Sequence, residues 1–140
     1  MARHRVAIVW LRRALRLADN PALAYALEAA ESVVVACVTP ATDDSWAPGA
    51  ASRAWRARSL AALDATLRER GSSLVVRSGS PGAAISALAA ECGATLVCFD
   101  RAYEPDASAA DARTGLALDA DGIPAHGFNC ALLNEPGGPL

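Results

Sequence analysis

The alternation of short apolar runs with longer helix-forming segments constrains the fold of this chain more than any other feature. Runs rich in β-branched residues recur at residues 6–11, 32–38, 74–76 and 95–99, and a short last run covers residues 123–128. The segments between them, about ten to twenty residues long, have helical character. Because strands separated by helices pair in parallel through right-handed crossovers, the pattern predicts an α/β fold. We expect a three-layer, Rossmann-like parallel sheet of about five strands with helices on both faces.

Capping residues indicate where the helices begin and end. Asn20 followed by Pro21 is an N-cap with proline at the first helical position, which predicts a helix over residues 22–31. Three further helices are expected to begin near residues 52, 80 and 107, and each ends at a glycine: Gly71, Gly93 and Gly122. The segment 39–51, rich in proline, glycine and aspartate, is predicted to be a long exposed loop.

Length and apolar patterning indicate one soluble domain. A chain of 140 residues is long enough to bury a single globular core. No uninterrupted apolar run approaches the roughly 18 residues that a membrane span requires. The first apolar run meets Arg12 and Arg13 too early to be the apolar region of a signal peptide. We therefore expect a cytoplasmic protein that does not contact a membrane.

Charge and cysteine spacing exclude several classes of function. With 13 basic and 15 acidic side chains the formal net charge is -2, so the chain has no net attraction to nucleic acid. The four cysteines form no CxxC pair and no zinc-ligand spacing with either histidine. Buried free thiols are predicted at Cys37, Cys92, Cys98 and Cys130, and no metal site is expected.

The predicted topology places a ligand crevice at the carboxyl ends of the strands, where the strand order reverses. This rule selects the loops after the first, second and fourth strands, at residues 10–19, 39–53 and 100–106, which are also the most polar stretches. The sequence contains no GxGxxG, P-loop or GxSxG motif. It therefore predicts a crevice without dinucleotide, P-loop or hydrolase chemistry, and no residue is assigned a catalytic role.

The arginines that follow the first strand, Arg12, Arg13 and Arg16, admit two interpretations. They form a solvated connection whose charges pair with nearby acids, or Arg12 and Arg13 line a ligand pocket or face a further domain. For Trp10 and Trp55, packing in the core or at an interface is favoured over stacking on a ligand, because large aromatic side chains contribute mainly through burial.

Three separated motifs in register resemble the DNA photolyase and cryptochrome family. They are IVWLRRALRLADNPAL at residues 8–23, SRAWRARSLAALDATLRERGSSLVVRSGSP at residues 52–81, and VCFDRAYEPDASAADARTGLALDADGIPAHGFNCALLNEPG at residues 97–137. The resemblance implies that residues 1–133 are the N-terminal α/β domain of that family. It also implies that residues 134–140 begin an interdomain linker, and that the helical FAD-binding domain is absent from this sequence.

In that family the α/β domain holds a light-harvesting antenna chromophore, which is a folate, a deazaflavin or a flavin. The resemblance thus implies a domain that supports light-driven repair of cyclobutane pyrimidine dimers by the helical FAD domain, which would be its partner and would contact damaged DNA. Because that interface would be open in the isolated chain, self-association is expected. The residues implied in chromophore binding are Leu11, Arg12, Arg13, Val38, Arg53, Asp100, Arg101, Glu104 and Asp106.

The chain departs from the family pattern at several positions. Ala14 stands where an acid is common, and Ala107, Ser108 and Ala110 stand where charged side chains, often arginine, are usual. Since folate recognition uses polar contacts in the neighbourhood of residues 107–110, a flavin or a deazaflavin is favoured over a folate. The alternative is a stand-alone nucleotide-binding module, or a cryptochrome-like interaction module without repair activity.

Overall fold

Five strands and four helices alternate along the chain in the computed structural model, which describes residues 3–39 and 47–137. The elements in chain order are β1 (His4–Trp10), α1 (Pro21–Ala29), β2 (Ala30–Thr39), α2 (Ala50–Arg68), β3 (Leu74–Ser78), α3 (Pro81–Cys92), β4 (Leu96–Asp100), α4 (Pro105–Ala120) and β5 (Ala125–Phe128). The predicted α/β, Rossmann-like fold is confirmed.

The strands form one parallel sheet in the order β3-β2-β1-β4-β5, with β1 at its centre. The last residue of β1, Trp10, pairs with Ala36 on β2 and with Phe99 on β4. The chain runs outward from β1 through β2 to β3 and then crosses to β4 on the other side of β1. Strand order therefore reverses between β1 and β4, which places the ligand crevice beyond their carboxyl ends.

Alternate side chains of β1 pack into two separate cores. Ala7 and Val9 belong to the core on the side of α1 and α2, which also contains Leu63 of α2. Ile8 and Trp10 face α3 and α4 on the opposite side of the sheet. Because both faces of the central strand are covered, residues 7–11 read as a continuous apolar run and not as an alternating one.

Three helix boundaries differ from those predicted by two residues: the end of α1, the start of α2 at Ala50, and the start of α4. The side chain of Asn20 caps α1 by accepting from the Leu23 amide at 3.1 Å, but α1 ends at Ala29. The extended backbone at Ala30 starts β2 there, because Ala30 already pairs with His4 of β1. Helix α4 begins at Pro105, two residues before the predicted start, since proline suits the first helical position.

Trp10 is 2% exposed and packs in the core, whereas Trp55 is 74% exposed and does not, so for Trp55 packing at an interface stays the prediction. The buried stripe of α2 contains Leu63 and Leu67. Trp55 precedes Leu63 by eight residues, which turns it about 80° away from that stripe at 100° per residue. Trp46 and the rest of the segment 40–46 lie outside the described residues.

All four cysteines are free thiols, and three of them are buried. Burial raises the pKa of Cys37 to about 11 and that of Cys98 to about 12. Among the described residues, no group of three or more histidine, cysteine, aspartate or glutamate side chains is arranged to hold a metal ion. None of the described helices combines the length and apolarity that crossing a bilayer requires.

Two leucines on α4 provide a matched test of the packing between α4 and the sheet. Leu118 is fully buried, whereas Leu116, two residues earlier, is 72% exposed. We expect Leu118→Ala to lower the free energy of unfolding by about 2–5 kcal/mol, because it leaves a cavity, and Leu116→Ala by less than about 0.5 kcal/mol. Urea unfolding measures both, and equal losses would contradict the placement of α4.

Candidate functional site

Asp100, the last residue of β4, holds the loop that follows β1. It is 5% exposed, and its carboxylate accepts hydrogen bonds from three consecutive backbone amides of that loop. Oδ1 accepts from the Arg12 amide at 2.8 Å, and Oδ2 accepts from the amides of Arg13 at 2.8 Å and Ala14 at 3.0 Å. These three N–H groups replace the water that a carboxylate loses on burial. They therefore offset the cost of burying the Asp100 side chain.

Several contacts hold the planar guanidinium group of Arg12 in place. Its Nη1 and Nη2 donate to the two carboxylate oxygens of Asp111 at 2.6 and 2.9 Å, and Nη2 also donates to the Asp100 carbonyl oxygen. The guanidinium carbon lies 4.5 Å from the ring centroid of Trp10 and 5.6 Å from that of Phe99. Bidentate pairing and aromatic contact together fix both the position and the tilt of the guanidinium.

A cavity of about 550 Å³ opens beyond the carboxyl ends of β1 and β2. Trp10 and Val38 line it from the strand ends. The first turn of α3 and the small side chains of α4, including Ala107 and Ala110, form its walls. Arginines line it as well: Arg12, Arg13, Arg56 and Arg113. The cavity thus combines a largely apolar wall with cationic groups.

The structure brings some of the sequence-predicted site residues together in this cavity and places others elsewhere. Arg12, Arg13 and Val38 line it. Four predicted residues line an adjacent hollow of about 310 Å³: Arg13, Asp100, Arg101 and Glu104. Leu11 is fully buried in the core below the site. Arg53 and Asp106 are exposed and line neither hollow, and Arg53 donates to the Pro48 carbonyl oxygen at 2.5 Å.

The adjacent hollow contains two groups of paired charges. Arg13 forms an ion pair with Glu104. The pKa of the Glu104 carboxyl is lowered, mainly by a hydrogen bond from its own backbone amide and next by the Arg13 guanidinium. The Tyr103 hydroxyl donates to Glu135 Oε1 at 2.6 Å, and Arg101 Nη1 donates to the same oxygen at 2.9 Å. The pKa of Tyr103 is raised to about 12, mainly by desolvation of the hydroxyl and next by its hydrogen bond to Glu135. These contacts fasten the last described residues to the strand ends.

Asp111 and Arg56 line the cavity but were not among the residues predicted from the sequence. Asp111 shares the buried face of α4 with Thr114 and Leu118, at positions i, i+3 and i+7. Arg56 lies on the inward stripe of α2, seven residues before Leu63, and its Nη1 donates to the Arg12 carbonyl oxygen at 2.5 Å. The sequence did contain a signal for both residues. Each is a charged residue at a helical position that faces the sheet, and such a residue needs a buried partner.

Comparisons of this chain with a family model and with known proteins all point to the same family. Residues 7–138 match the family described as DNA photolyase. The chain is 38% identical over 130 residues to Cryptochrome-1 from Arabidopsis thaliana, covering 92% of this chain and 19% of that protein. It is 37% identical over 130 residues to a deoxyribodipyrimidine photo-lyase from Agrobacterium fabrum, covering 92% of this chain and 26% of the relative.

Solved structures agree with this grouping. A bacterial class III photolyase from Agrobacterium tumefaciens superposes with a TM-score of 0.89 at 34% identity, over 100% of this chain and 29% of that one. An archaeal photolyase from Sulfolobus tokodaii, described with two FAD molecules and the implication of a novel light-harvesting cofactor, shares the fold. It has a TM-score of 0.81 at 24% identity, over 89% of this chain and 29% of that one. The chain spans less than a third of the length of these relatives.

Replacing the Asp100 carboxylate tests whether it organises the loop after β1. In Asp100→Asn one acceptor oxygen becomes an NH₂ group that faces backbone N–H donors. We expect the free energy of unfolding to fall by about 2–4 kcal/mol. Asp106→Asn, an exposed control at the start of α4, should cost less than about 1 kcal/mol. Denaturant unfolding measures both, and a small loss for Asp100→Asn would show that the loop does not depend on it.

Proposed function

The chain belongs to the DNA photolyase family, and we propose that its cavity at the carboxyl ends of β1 and β2 binds a light-harvesting chromophore. The size and location of this cavity carry the proposal. Its volume of about 550 Å³ falls within the range of small-molecule sites. It also lies beside the point where the strand order reverses, which is where open α/β sheets bind ligands.

The arrangement of Arg12 and Trp10 supports this proposal. Transfer of excitation energy requires a chromophore that is held at a fixed angle and distance to its acceptor. The guanidinium of Arg12 is fixed by Asp111 and by contact with Trp10, and both Arg12 and Trp10 line the cavity. A planar ring that stacks on such a guanidinium would take its orientation from the sheet. The indole Nε1 of Trp10 is buried and has no hydrogen-bond partner among the described residues.

We propose a flavin or a deazaflavin as the chromophore, in preference to a folate. Ala107 and Ala110 line the cavity where the family commonly has charged side chains, so this wall offers apolar contact to a flat ring. The photolyase from Sulfolobus tokodaii, described with two FAD molecules, makes a flavin a reasonable candidate. Arg101 and Glu104 line the adjacent hollow and Asp106 lines neither, so these predicted residues would not contact the ring.

The photolyase relatives are full-length proteins with a separate FAD-binding domain. We propose that such a helical domain is the partner of this chain, and that it carries out light-driven repair of cyclobutane pyrimidine dimers in the cytoplasm. Damaged DNA would then be contacted only through that domain. Trp55, 74% exposed, and Leu133, 97% exposed, would favour weak self-association of the isolated chain.

A cryptochrome-like interaction module without repair activity is the second candidate, because the 38% identity to Cryptochrome-1 equals that to the photo-lyase within one percentage point. Both candidates use the same cavity, so they differ in what the helical domain does with the captured energy. A light-dependent repair assay on this chain together with the proposed FAD-binding helical domain separates them. Repair supports the first, and its absence from a protein that binds FAD supports the second.

A chromophore panel with a cavity-filling variant tests the proposal. We expect the purified chain to retain the visible absorption of riboflavin or a 5-deazaflavin after gel filtration, but not that of a folate. Ala110→Trp should weaken binding by about tenfold or more, because the larger side chain fills space that the ring needs. Ala109→Trp, at an exposed neighbouring position outside the cavity, is the control. Equal binding by both variants, or no binding by the wild type, would contradict the proposed site.

A further inference from the structure

The face of α2 that points away from the sheet is exposed from the first turn of the helix to its C-cap. The buried residues of this helix, Leu63 and Leu67, lie on the side that packs on the sheet. Along the outer face, exposed positions follow one another at alternating intervals of four and three residues. They are Ala51, Trp55, Arg58, Ala62, Ala65 and Glu69. This spacing is that of the a and d positions of a coiled coil, so these six residues form one continuous seam.

Trp55 is the residue of the seam whose position the packing of one chain does not explain. Its side chain is 74% exposed. A large aromatic side chain contributes mainly through burial, and tryptophan is enriched among the residues that dominate binding at protein interfaces. The small side chains of Ala51 and Ala62, one turn or two along the same seam, let a second helix approach closely. The seam therefore has the form of a surface on which another helix packs.

The charges of the seam are complementary to those of a second copy of the same helix. Arg58 lies in the N-terminal half of α2, and Glu69 is its C-cap. Within residues 3–39 and 47–137, neither side chain has an oppositely charged group within 4.0 Å. In an antiparallel pair, Arg58 of each copy lies beside Glu69 of the other, which gives two equivalent ion pairs. A parallel pair would instead set like charges against each other.

The helix dipole favours the same antiparallel arrangement. Glu69 lies at the C-terminal end of α2, where a negative charge is unfavourable. Arg58 of a second copy would bring a positive charge to this end and offset the repulsion. The pairing of these two residues also sets the register of the helices. Ala62 then lies opposite Ala65, and Trp55 packs on the turn that follows the helix of the other copy.

We propose that α2 binds a second copy of this chain as an antiparallel pair of helices related by a two-fold axis. The inference goes beyond the proposed function, because it involves no chromophore. Arg56, which lines the cavity, lies on the inward side of α2, so the contact between copies does not use the cavity. The helices overlap over residues 58–69, about 18 Å. Such an interface is small, so the dimer dissociates readily.

Sedimentation equilibrium of the purified chain over a range of concentrations tests the dimer. We expect the average mass to rise with concentration from 14.4 kDa towards twice that value. The dissociation constant should be about 10–500 µM. Because a two-fold interface is closed, the mass should not rise beyond the dimer. A mass that stays at that of one chain up to about 1 mM, or one that passes the dimer, would overturn the inference.

Charge reversal on the seam locates the contact. Arg58→Glu should weaken dimerisation by about tenfold or more, because it sets two carboxylates side by side in each pair. Glu69→Arg should weaken it by a similar factor, because it sets two guanidinium groups together. The double variant restores both ion pairs with their signs exchanged, so it should dimerise within about threefold of the wild type. A double variant that is as weak as the single ones would contradict the antiparallel register.

Two controls separate this contact from other causes of self-association. Arg53→Glu makes the same change in charge on the same helix, at an exposed position away from the seam, and should leave the dimer intact. Leu133→Ser removes an apolar side chain that is 97% exposed near the end of the chain, and it should also leave the dimer intact. If Leu133→Ser abolished self-association and Arg58→Glu did not, the contact would lie on the surface that faces a further domain, and the inference would be wrong.

Discussion

The buried carboxylate of Asp100 is the constraint on which the rest of the site depends. It ends β4 and accepts three consecutive amides from the loop after β1, so it joins the two strands at the point where the sheet order reverses. Its hold on the backbone of Arg12 lets the guanidinium reach Asp111 on α4 and lie over Trp10. The orientation of a cationic side chain at the cavity therefore follows from an acid about 90 residues later in the chain.

The predictable part of this structure is the part that local patterns encode. Apolar runs located all five strands to within about two residues, and Asn20-Pro21 located the start of α1. The pairing of Arg12 with Asp111 was not predictable, because it joins elements that meet only after the sheet has formed. The exposure of Trp55 follows from its angle around α2, which depends on the stripe that the sheet selects. Most of the predicted site residues lie at or beside the strand ends, whereas Arg56 and Asp111 reach the cavity from the interior of α2 and α4, away from those ends.

The polar groups around the cavity are only partly paired within the described part of the chain. The carboxylate of Asp111 is paired with Arg12, Arg13 is paired with Glu104, and the buried indole Nε1 of Trp10 has no acceptor in the described residues. A stable domain has no need of such an imbalance, since unpaired buried donors lower stability. Under the proposed function, a chromophore bound beside Arg12 would be held rigidly and without proton transfer from the protein.

Hydrogen exchange at the amides of Arg12, Arg13 and Ala14 tests the central claim most directly. These residues lie outside the regular strands, so their amides would ordinarily exchange quickly with solvent. If Asp100 holds the loop, all three should exchange as slowly as the amides of β1 and β4, and Asp100→Asn should abolish this protection while leaving that of the strands. Rapid exchange of these three amides in the wild-type chain would contradict the account.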